Sequence, residues 1–206
     1  MSYYLGLDLS FSATGFFLIG EKGEQVIEKE IASDPSQFIN DIQRSDWIAK
    51  QIIDMIKDYD IKNIMIEDYF NGGSNSQVGL RLAVLGSIVR LRLLEKGYSF
   101  MTITNAQNKK FISGNGHANK DQMQMFVLKK YNVMSFSNNT ADACGMAHVA
   151  KAYYEFTNNI VKKESFLKYE WDVIKKMTND SVITTPYTLD DIEPKKLKSK
   201  KSKKED

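Results

Sequence analysis

The chain has 206 residues, of which 42% are hydrophobic and 26% are charged, so it can bury the core of one large domain or two small ones. This composition excludes a fibrous or wholly disordered protein, and the longest apolar runs are far too short for a membrane-spanning helix. The single cysteine, Cys144, excludes an internal disulfide and a zinc site made of cysteines. We therefore expect an intracellular protein without a membrane partner, in which oxygen ligands hold any metal ion.

The charge is unevenly distributed along the chain, whose net charge is +2. The last twelve residues, KKLKSKKSKKED, carry seven lysines and two acids, which leaves 21 of the 28 basic and 24 of the 26 acidic residues in positions 1–194. We predict that residues 195–206 form a disordered tail in solvent. A second interpretation, compatible with disorder, is an electrostatic tether for the phosphates of nucleic acid.

The N-terminal third of the chain predicts three strands, a helix and a fourth strand. The segments YYLGLDLS, TGFFLIGEKG and EQVIEKEIA indicate a three-stranded meander, with a glycine-bearing turn before the third strand. Apolar residues at helical spacing predict a helix over 37–60. The β-branched run KNIMIEDYF then predicts a buried strand that ends at Glu67 or Asp68, and NGGSNS is typical of a loop.

The second half predicts helices around one further strand. Residues 76–96 form the strongest helical pattern, which Gly97 ends, and YSFMTIT predicts a strand. The loop ISGNGHAN leads into a helix with Asn119 as N-cap and Gln122 as its capping-box partner. A last helix is predicted over 140–156. The helix over 76–96 is expected to place five apolar residues on one face: Val78, Leu82, Leu85, Val89 and Leu93.

The order of these elements predicts an α/β fold around a largely buried, mixed sheet in residues 1–157. Residues 158–194 are predicted to form a less regular C-terminal extension. Within it, only the segment ESFLKYEWDVIKKM indicates a short helix.

Three acidic residues stand where an unpaired carboxylate is costly to bury. Asp8 lies inside the apolar first strand, Glu67 ends the run IMIE, and Asp142 lies in the small-residue run TADACGMA. Alone, each has a structural explanation: a turn cap for Asp8, an arginine partner for Glu67 and the helix dipole for Asp142. The few basic residues nearby in sequence cannot pair with all three carboxylates, whereas one or two hard divalent cations would satisfy all three. Because such cations activate water and stabilise leaving oxygens in nucleases, a phosphodiester is the expected substrate.

Four segments, GLDLSFSATGF, IEDYF, KKFISGNGHANKDQMQMFV and TADACGMAHVA, follow one another within residues 5–150. In this order they resemble the motifs of the RuvC family of Holliday-junction resolvases, and the third, with its Gly-x-Gly loop and Ala-x-Lys, is the most specific. The resemblance implies a ribonuclease-H-like fold, with a mixed five-stranded sheet flanked by helices. It also implies a metal-dependent, structure-selective endodeoxyribonuclease that cuts branched DNA, chiefly four-way junctions, in recombination, repair or replication.

The resemblance implies the roles of the acidic and basic residues. Asp8, Glu67 and Asp142 would ligate Mg²⁺, with up to two ions per subunit and Mn²⁺ as a substitute. Lys120 would lie near the scissile phosphate and stabilise developing charge. Another basic position of the family matches either Lys109 or its neighbour Lys110, and the sequence leaves this choice open.

Other residues of the motifs are implied to contact DNA. Phe70 resembles the aromatic residue with which the family probes the unstacked centre of a junction, although Phe70 or Tyr69 could equally be buried beneath the NGG loop. Gly114 and Gly116 would let their loop approach phosphates closely; the alternative is an ordinary flexible loop before a helix. His117, in the same loop, would contact phosphate or water.

One position departs from the family pattern. Asn139 stands three residues before Asp142, where the family has an acid or a histidine. Its amide oxygen can ligate a hard metal but supplies no charge, so we expect a second metal that binds weakly or through water. His148 does not replace it, because it lies about 240° around the helix from Asp142 and Asn139 only about 60°. We expect His148 to be a packed or exposed helix residue.

A four-way junction needs two matched cuts, so its symmetry and the resemblance both imply a homodimer. The helix over 76–96 is the candidate interface, with an ordinary core helix as the alternative. Two other functions remain: a junction-binding protein that has lost cleavage, as Asn139 allows, or an actin-like or sugar-kinase ATPase whose phosphate hairpin is LGLDLSFSATG. The ATPase fold needs two lobes and another glycine-rich hairpin, which this chain lacks. A virus-encoded origin fits the departure at Asn139.

Overall fold

A mixed sheet forms the centre of this computed structural model, which describes residues 1–68, 77–135, 137–180 and 183–187. Its strands are β1 (Tyr3–Asp8), β2 (Ala13–Ile19), β3 (Gln25–Ala32), β4 (Ile61–Glu67) and β5 (Phe100–Ile103). They lie side by side in the order β3-β2-β1-β4-β5. Strand β2 runs antiparallel to both β1 and β3, and β4 runs parallel to both β1 and β5. The predicted fold class, a mixed five-stranded sheet flanked by helices, is confirmed.

Six α-helices lie within the described residues, and four of them begin at a side chain that caps the helix N-terminus. They are α1 (Asp41–Ile56), α2 (Gln77–Glu95), α3 (Asn105–Ser113), α4 (Lys120–Tyr131), α5 (Asn138–Thr157) and α6 (Lys168–Asp180). The side chains of four capping residues accept backbone N–H groups of the first turn: Asn40, Thr104, Asn119 and Ser137. The predicted capping box between Asn119 and Gln122 is confirmed.

The two faces of the sheet carry separate cores. Leu5, Leu7 and Phe16 belong to the core that includes residues of α1 and α2. Tyr4 and Phe17 belong to the opposite core, which includes residues of α3, α4, α5 and α6. This alternation follows the pleat of the strands, in which successive side chains point to opposite faces. Helix α5 packs directly on β1, β2 and β4, so it is the helix that reaches the centre of the sheet.

The structure adds two local features that the sequence pattern did not specify. Helix α3 was not predicted, although Thr104 and Gln107 form a capping box at its start. The predicted apolar face of α2 is only partly buried: Leu85, Val89 and Leu93 lie in the core, whereas Val78 is 67% exposed. Val78 borders an open cavity beside Phe11, because the first turn of α2 lies outside the core.

The described part of the C-terminal extension shares the core of the sheet domain. Val173, Ile174 and Met177 of α6 are buried in the same cluster as α5, and the backbone of Thr184 pairs with Phe100 of β5. The predicted division at residue 158 stays a prediction, and the lysine tail lies outside the described residues. Within the described residues, we find no helix of the length and apolarity needed to span a membrane.

Candidate active site

Asp8 and Glu67 meet at one edge of the sheet. Each is the last residue of its strand, and β1 and β4 are adjacent and parallel, with Leu7 opposite Ile66. The carboxyl ends of parallel neighbours lie at the same edge, so the two acids become neighbours. The Glu67 carboxyl group is close enough to Asp8 to raise the pKa of Asp8, both by its charge and by a side-chain contact.

Asp142 reaches the same edge because α5 lies unusually close to the sheet. A Cβ atom on Gly6 would lie 1.9 Å from the carbonyl oxygen of Ala143, and one on Gly15 would lie 2.2 Å from the carbonyl oxygen of Asn139. Only glycine fits at both positions. The first two turns of α5 therefore rest on β1 and β2, and the Asp142 side chain lies within electrostatic reach of Asp8 and Glu67.

Burial and mutual repulsion raise the pKa values of two of these acids. The pKa of Asp8 lies well above its ordinary value, first because the group is buried and then because Glu67 and Asp142 are close. Burial, with the charge of Glu67, raises the pKa of Asp142 to about 6. Lys120 opposes both shifts, and Lys109 opposes that of Asp142. Two lysines thus counteract the repulsion within the acidic cluster.

The donor set of this edge suits a hard divalent cation. One oxygen of Asp142, Oδ1, is buried and has no hydrogen-bond partner among the described residues. Buried unpartnered oxygen atoms are costly, and oxygen-only clusters are the sites that Mg²⁺ and Mn²⁺ prefer. In the described ranges, no group of three or more His, Cys, Asp or Glu side chains is arranged so that it could hold a metal ion. Metal ligation by the three acids stays a prediction.

The structure distinguishes the two candidate lysines of α3. Lys109 interacts electrostatically with Asp142. Lys110 points to the other side and forms an ion pair with Asp172 of α6, with Nζ 2.9 Å from Oδ2. Successive residues of a helix lie about 100° apart, so only one of the two can face the acids. Lys109 is therefore the lysine of this pair that lies at the candidate site.

The amide of Asn139 is oriented by two acceptors. Its Nδ2 donates to the carbonyl oxygen of Ala13 at 2.9 Å and to Oε1 of Glu30 at 3.2 Å. Because both partners only accept hydrogen bonds, the amide nitrogen must face them. The amide oxygen, Oδ1, is then free for a further contact. Glu30 also accepts a hydrogen bond from the Ser137 hydroxyl at the start of α5. Glu30 lies opposite Gly15, which lies opposite Asp8.

The predicted DNA-contacting loop has structural reasons for its glycines. Gly114 ends α3 in the left-handed conformation, with φ of 79°, and packs against Tyr169. A Cβ on Gly116 would lie 3.1 Å from the carbonyl oxygen of Ala106. His117 is exposed. DNA contact by these residues stays a prediction, and Phe70 lies outside the described residues.

Three residues near the site were not predicted from the sequence. Arg90 of α2 donates from Nη2 to the carbonyl oxygen of Glu67 at 2.9 Å. Asn108 of α3 is fully buried and donates from Nδ2 to the carbonyl oxygen of Asp142 at 3.0 Å. Glu30 lies on β3, beside Asn139. A polar residue within an otherwise apolar helix face was the available signal for Arg90 and Asn108.

The sheet order defines a ribonuclease-H-like fold, with the acidic cluster at one edge of the sheet. The sequence matches the family described as "Crossover junction endodeoxyribonuclease RuvC" over residues 4–150. It is 30% identical over 150 residues to the protein of that name from Brachyspira hyodysenteriae, which covers 69% of this chain and 89% of the relative. It is 28% identical over 135 residues to the one from Ehrlichia canis, covering 63% and 82%. The chain belongs to the RuvC family, a family of metal-dependent nucleases.

Solved structures show the same fold. The structure of Thermus thermophilus RuvC superposes with a TM-score of 0.62 at 15% sequence identity, covering 76% of this chain and 96% of that chain. The structure of T. thermophilus RuvC in complex with a Holliday junction substrate also gives a TM-score of 0.62, at 12% identity, covering 75% and 94%. The predicted family and fold are therefore confirmed.

Proposed function

We propose that this protein is a structure-selective endodeoxyribonuclease that hydrolyses phosphodiester bonds in branched DNA, chiefly Holliday junctions. The observation that carries the proposal is the meeting of Asp8, Glu67 and Asp142 at one sheet edge, with Lys109 and Lys120 facing them. Membership of the RuvC family and the Holliday junction substrate bound by the T. thermophilus relative support it.

The chain's own residues have defined tasks in this reaction. Asp8, Glu67 and Asp142 would hold Mg²⁺, or Mn²⁺ in its place, with Oδ1 of Asn139 available to a second ion. Such ions activate water and stabilise the leaving oxygen when they are bound. Lys120, at the first position of α4, would stabilise negative charge that develops on the phosphate.

The substrate's symmetry supports a homodimer, because two matched cuts need two matched sites. Exposed apolar side chains on helix α2 support this helix as the dimer interface. They include Val78, Leu80, Val84 and Leu91. Ile42 of α1 is exposed beside them, at a groove that Leu91 also lines. Burial of this surface against a second copy would remove apolar area from water.

The proposal places the protein inside the cell with the DNA that it cuts. Its relatives described above are encoded by bacteria, and a virus-encoded origin stays a prediction. The lysine tail is expected to add affinity for DNA that weakens steeply with salt.

The decisive experiment is incubation of an end-labelled four-way junction with the full-length protein and Mg²⁺ or Mn²⁺. We expect paired, symmetric cuts near the crossover and much slower cutting of a linear duplex of the same sequence. Asp8→Asn is expected to bind the junction without cutting it. Asp54→Asn, an exposed acid paired with Lys50 on α1, is the control for the loss of one negative charge and should cut normally.

Binding of the junction without cuts at any metal concentration would contradict the enzyme and favour the alternative of a junction-binding protein. Equal cutting of linear and branched substrates would contradict structure selectivity. A single cut per junction, together with a monomeric mass in solution, would contradict the homodimer.

A further inference from the structure

A basic cavity of 490 Å³ lies at the far end of the sheet from the candidate active site. Its lining includes four lysines and two aromatic rings: Lys22, Lys129, Lys130, Lys151, Tyr131 and His148. They come from the turn between β2 and β3, the C-terminal end of α4 and the middle of α5. No role in the proposed nuclease reaction uses any of them.

The register of the strands separates this cavity from the acids. Asp8 pairs with Gly15, whereas Tyr4 pairs with Ile19, immediately before the turn that carries Lys22. Four strand residues at roughly 3.3 Å each place the turn more than about 13 Å from Asp8. On α5, His148 follows Asp142 by six residues, or about 9 Å along the helix axis.

His148 is buried at the wall of this cavity without a full set of partners. Its residue is 8% exposed, and its ring stacks on Tyr131 with the ring centres 3.4 Å apart. Nε2 is buried and has no hydrogen-bond partner among the described residues. Burial, and then the charges of Lys130 and Lys151, lower the pKa of His148 to about 3, so the ring is neutral at pH 7. The ring edge beside Gly23, which also lines the cavity, carries Cε1 and Nδ1: a Cβ on Gly23 would lie 3.3 Å from Cε1 and 3.8 Å from Nδ1. A neutral imidazole with its proton on Nδ1 can donate one hydrogen bond there.

The lysines divide into two pairs. Lys130 forms an ion pair with Glu170, and Lys151 forms one with Glu155 at 2.7 Å. Lys22 and Lys129 are exposed, and neither forms an ion pair with any residue in the described ranges. The rim of the cavity therefore carries two ammonium groups that are not held in ion pairs, and the nearby Glu24 carboxylate accepts a hydrogen bond from the backbone N–H of Lys22 at 2.9 Å.

We propose that this cavity binds a phosphate group, held by the ammonium groups of Lys22 and Lys129 and by a hydrogen bond from the imidazole of His148. At neutral pH a phosphate group presents several acceptor oxygens and a negative charge that two ammonium groups can balance. The volume exceeds that of inorganic phosphate, so a phosphate ester fits the same chemistry. The group could belong to a free phosphate compound or to a DNA backbone, and the proposal holds whether or not the chain cuts junctions.

The two histidines of the chain make the proposal directly measurable. In the ¹⁵N-labelled full-length protein, long-range ¹H–¹⁵N spectra show the ring nitrogens of His117 and His148, which His117→Gln assigns. We expect inorganic phosphate, titrated at constant ionic strength with chloride as the balancing anion, to shift the His148 nitrogens along a saturable curve. The apparent Kd should rise at least about tenfold in the Lys22→Met/Lys129→Met double variant.

The control is the Lys57→Met/Lys96→Met double variant, which removes the same charge from two exposed lysines at the ends of α1 and α2. It should keep the Kd of the unmodified protein. A linear DNA duplex, titrated in parallel, separates the two sources. A His148 shift that only the duplex produces, and that the Lys22→Met/Lys129→Met variant loses, assigns the site to a backbone phosphate. No His148 shift with either probe, or equal Kd values in both double variants, overturns the proposal.

Discussion

Arg90 donates a hydrogen bond from Nη2 to the backbone carbonyl of Glu67 at 2.9 Å, and this bond joins the middle of α2 to the end of β4. The Arg90 residue is 8% exposed, so the bond is shielded from water. Glu67 is the last residue of its strand. The orientation of its side chain therefore depends on a helix that lies on the opposite face of the sheet from α5.

We predict that Arg90→Met lowers the free energy of unfolding by about 1 to 3 kcal/mol, because it leaves the Glu67 carbonyl without this donor. Displacement of Glu67 should also slow junction cleavage at least about tenfold. Arg92→Met is the matched control, because Arg92 is an exposed arginine of the same helix that pairs with Asp46 and Glu95. Urea denaturation and a cleavage time course measure both effects. Equal cleavage rates for the two variants would contradict the prediction.

Replacement of Asn139 by aspartate should destabilise the protein while Glu30 is present. In Asn139→Asp, the donor to Glu30 and to the Ala13 carbonyl becomes an acceptor. We expect a loss of about 1 to 3 kcal/mol of unfolding free energy in EDTA, and partial recovery in Asn139→Asp/Glu30→Gln, since the glutamine amide can donate. A double-mutant cycle from urea melts measures the coupling. Additive effects of the two substitutions would show that the pair does not interact.

Lys109 and Lys110 should behave differently despite being neighbours. Lys109 acts on Asp142, whereas Lys110 is paired with Asp172 on the surface. We predict that Lys109→Met slows cleavage about tenfold or more. Lys110→Met should leave cleavage unchanged and cost at most about 1 kcal/mol of stability, because exposed ion pairs contribute little. Single-turnover cleavage of the junction distinguishes them, and the reverse order of effects would contradict the assignment.

A divalent cation should stabilise the folded protein. It would relieve the repulsion among Asp8, Glu67 and Asp142 and would add about 2.7 kcal/mol at a concentration one hundred times its Kd. We predict a rise in Tm when Mg²⁺ or Mn²⁺ replaces EDTA. Asp8→Asn should have a higher Tm than the unmodified protein in EDTA, because it removes a like charge, and a smaller rise with metal. Differential scanning calorimetry measures both values, with Asp54→Asn as the control.

His148 should make the protein sensitive to acid. Its folded-state pKa of about 3 lies below its ordinary value of 6.5, so between these pH values the unfolded chain binds a proton that the folded chain does not. The free energy of unfolding should therefore fall as the pH falls from 6.5 towards 3, by up to about 1.4 kcal/mol per pH unit. His148→Phe, which can keep the stacking on Tyr131, should show a shallower fall.

Urea denaturation at pH 6.5, 5.5 and 4.5 tests this dependence. The exposed His117 provides the control, since His117→Gln should reproduce the curve of the unmodified protein. If His148→Phe and the unmodified protein lose stability in parallel, His148 is not the source of the acid sensitivity.

Local patterns were sufficient to predict most of the fold. The strand run that ends at Glu67 and the cap at Asn119 depend on residues within a few positions of each other, and the structure confirms both. The resemblance of four ordered motifs added the family. Helix α3 was missed, because its few apolar residues form a weak periodic pattern whereas its boundaries depend on the caps at Thr104 and Gly114.

The sequence by itself determined which residues are acidic, which segments are apolar and where helices can begin, because these properties depend on residue type and short spacing. Only the tertiary structure decided that Lys109 faces the acids, since the partner of Lys110 is 62 residues away. It likewise joined Asn139 to Glu30 across 109 positions and set His148 in a basic cavity. Such partners are chosen by packing between distant elements, and no local pattern specifies which side chains that packing brings into contact.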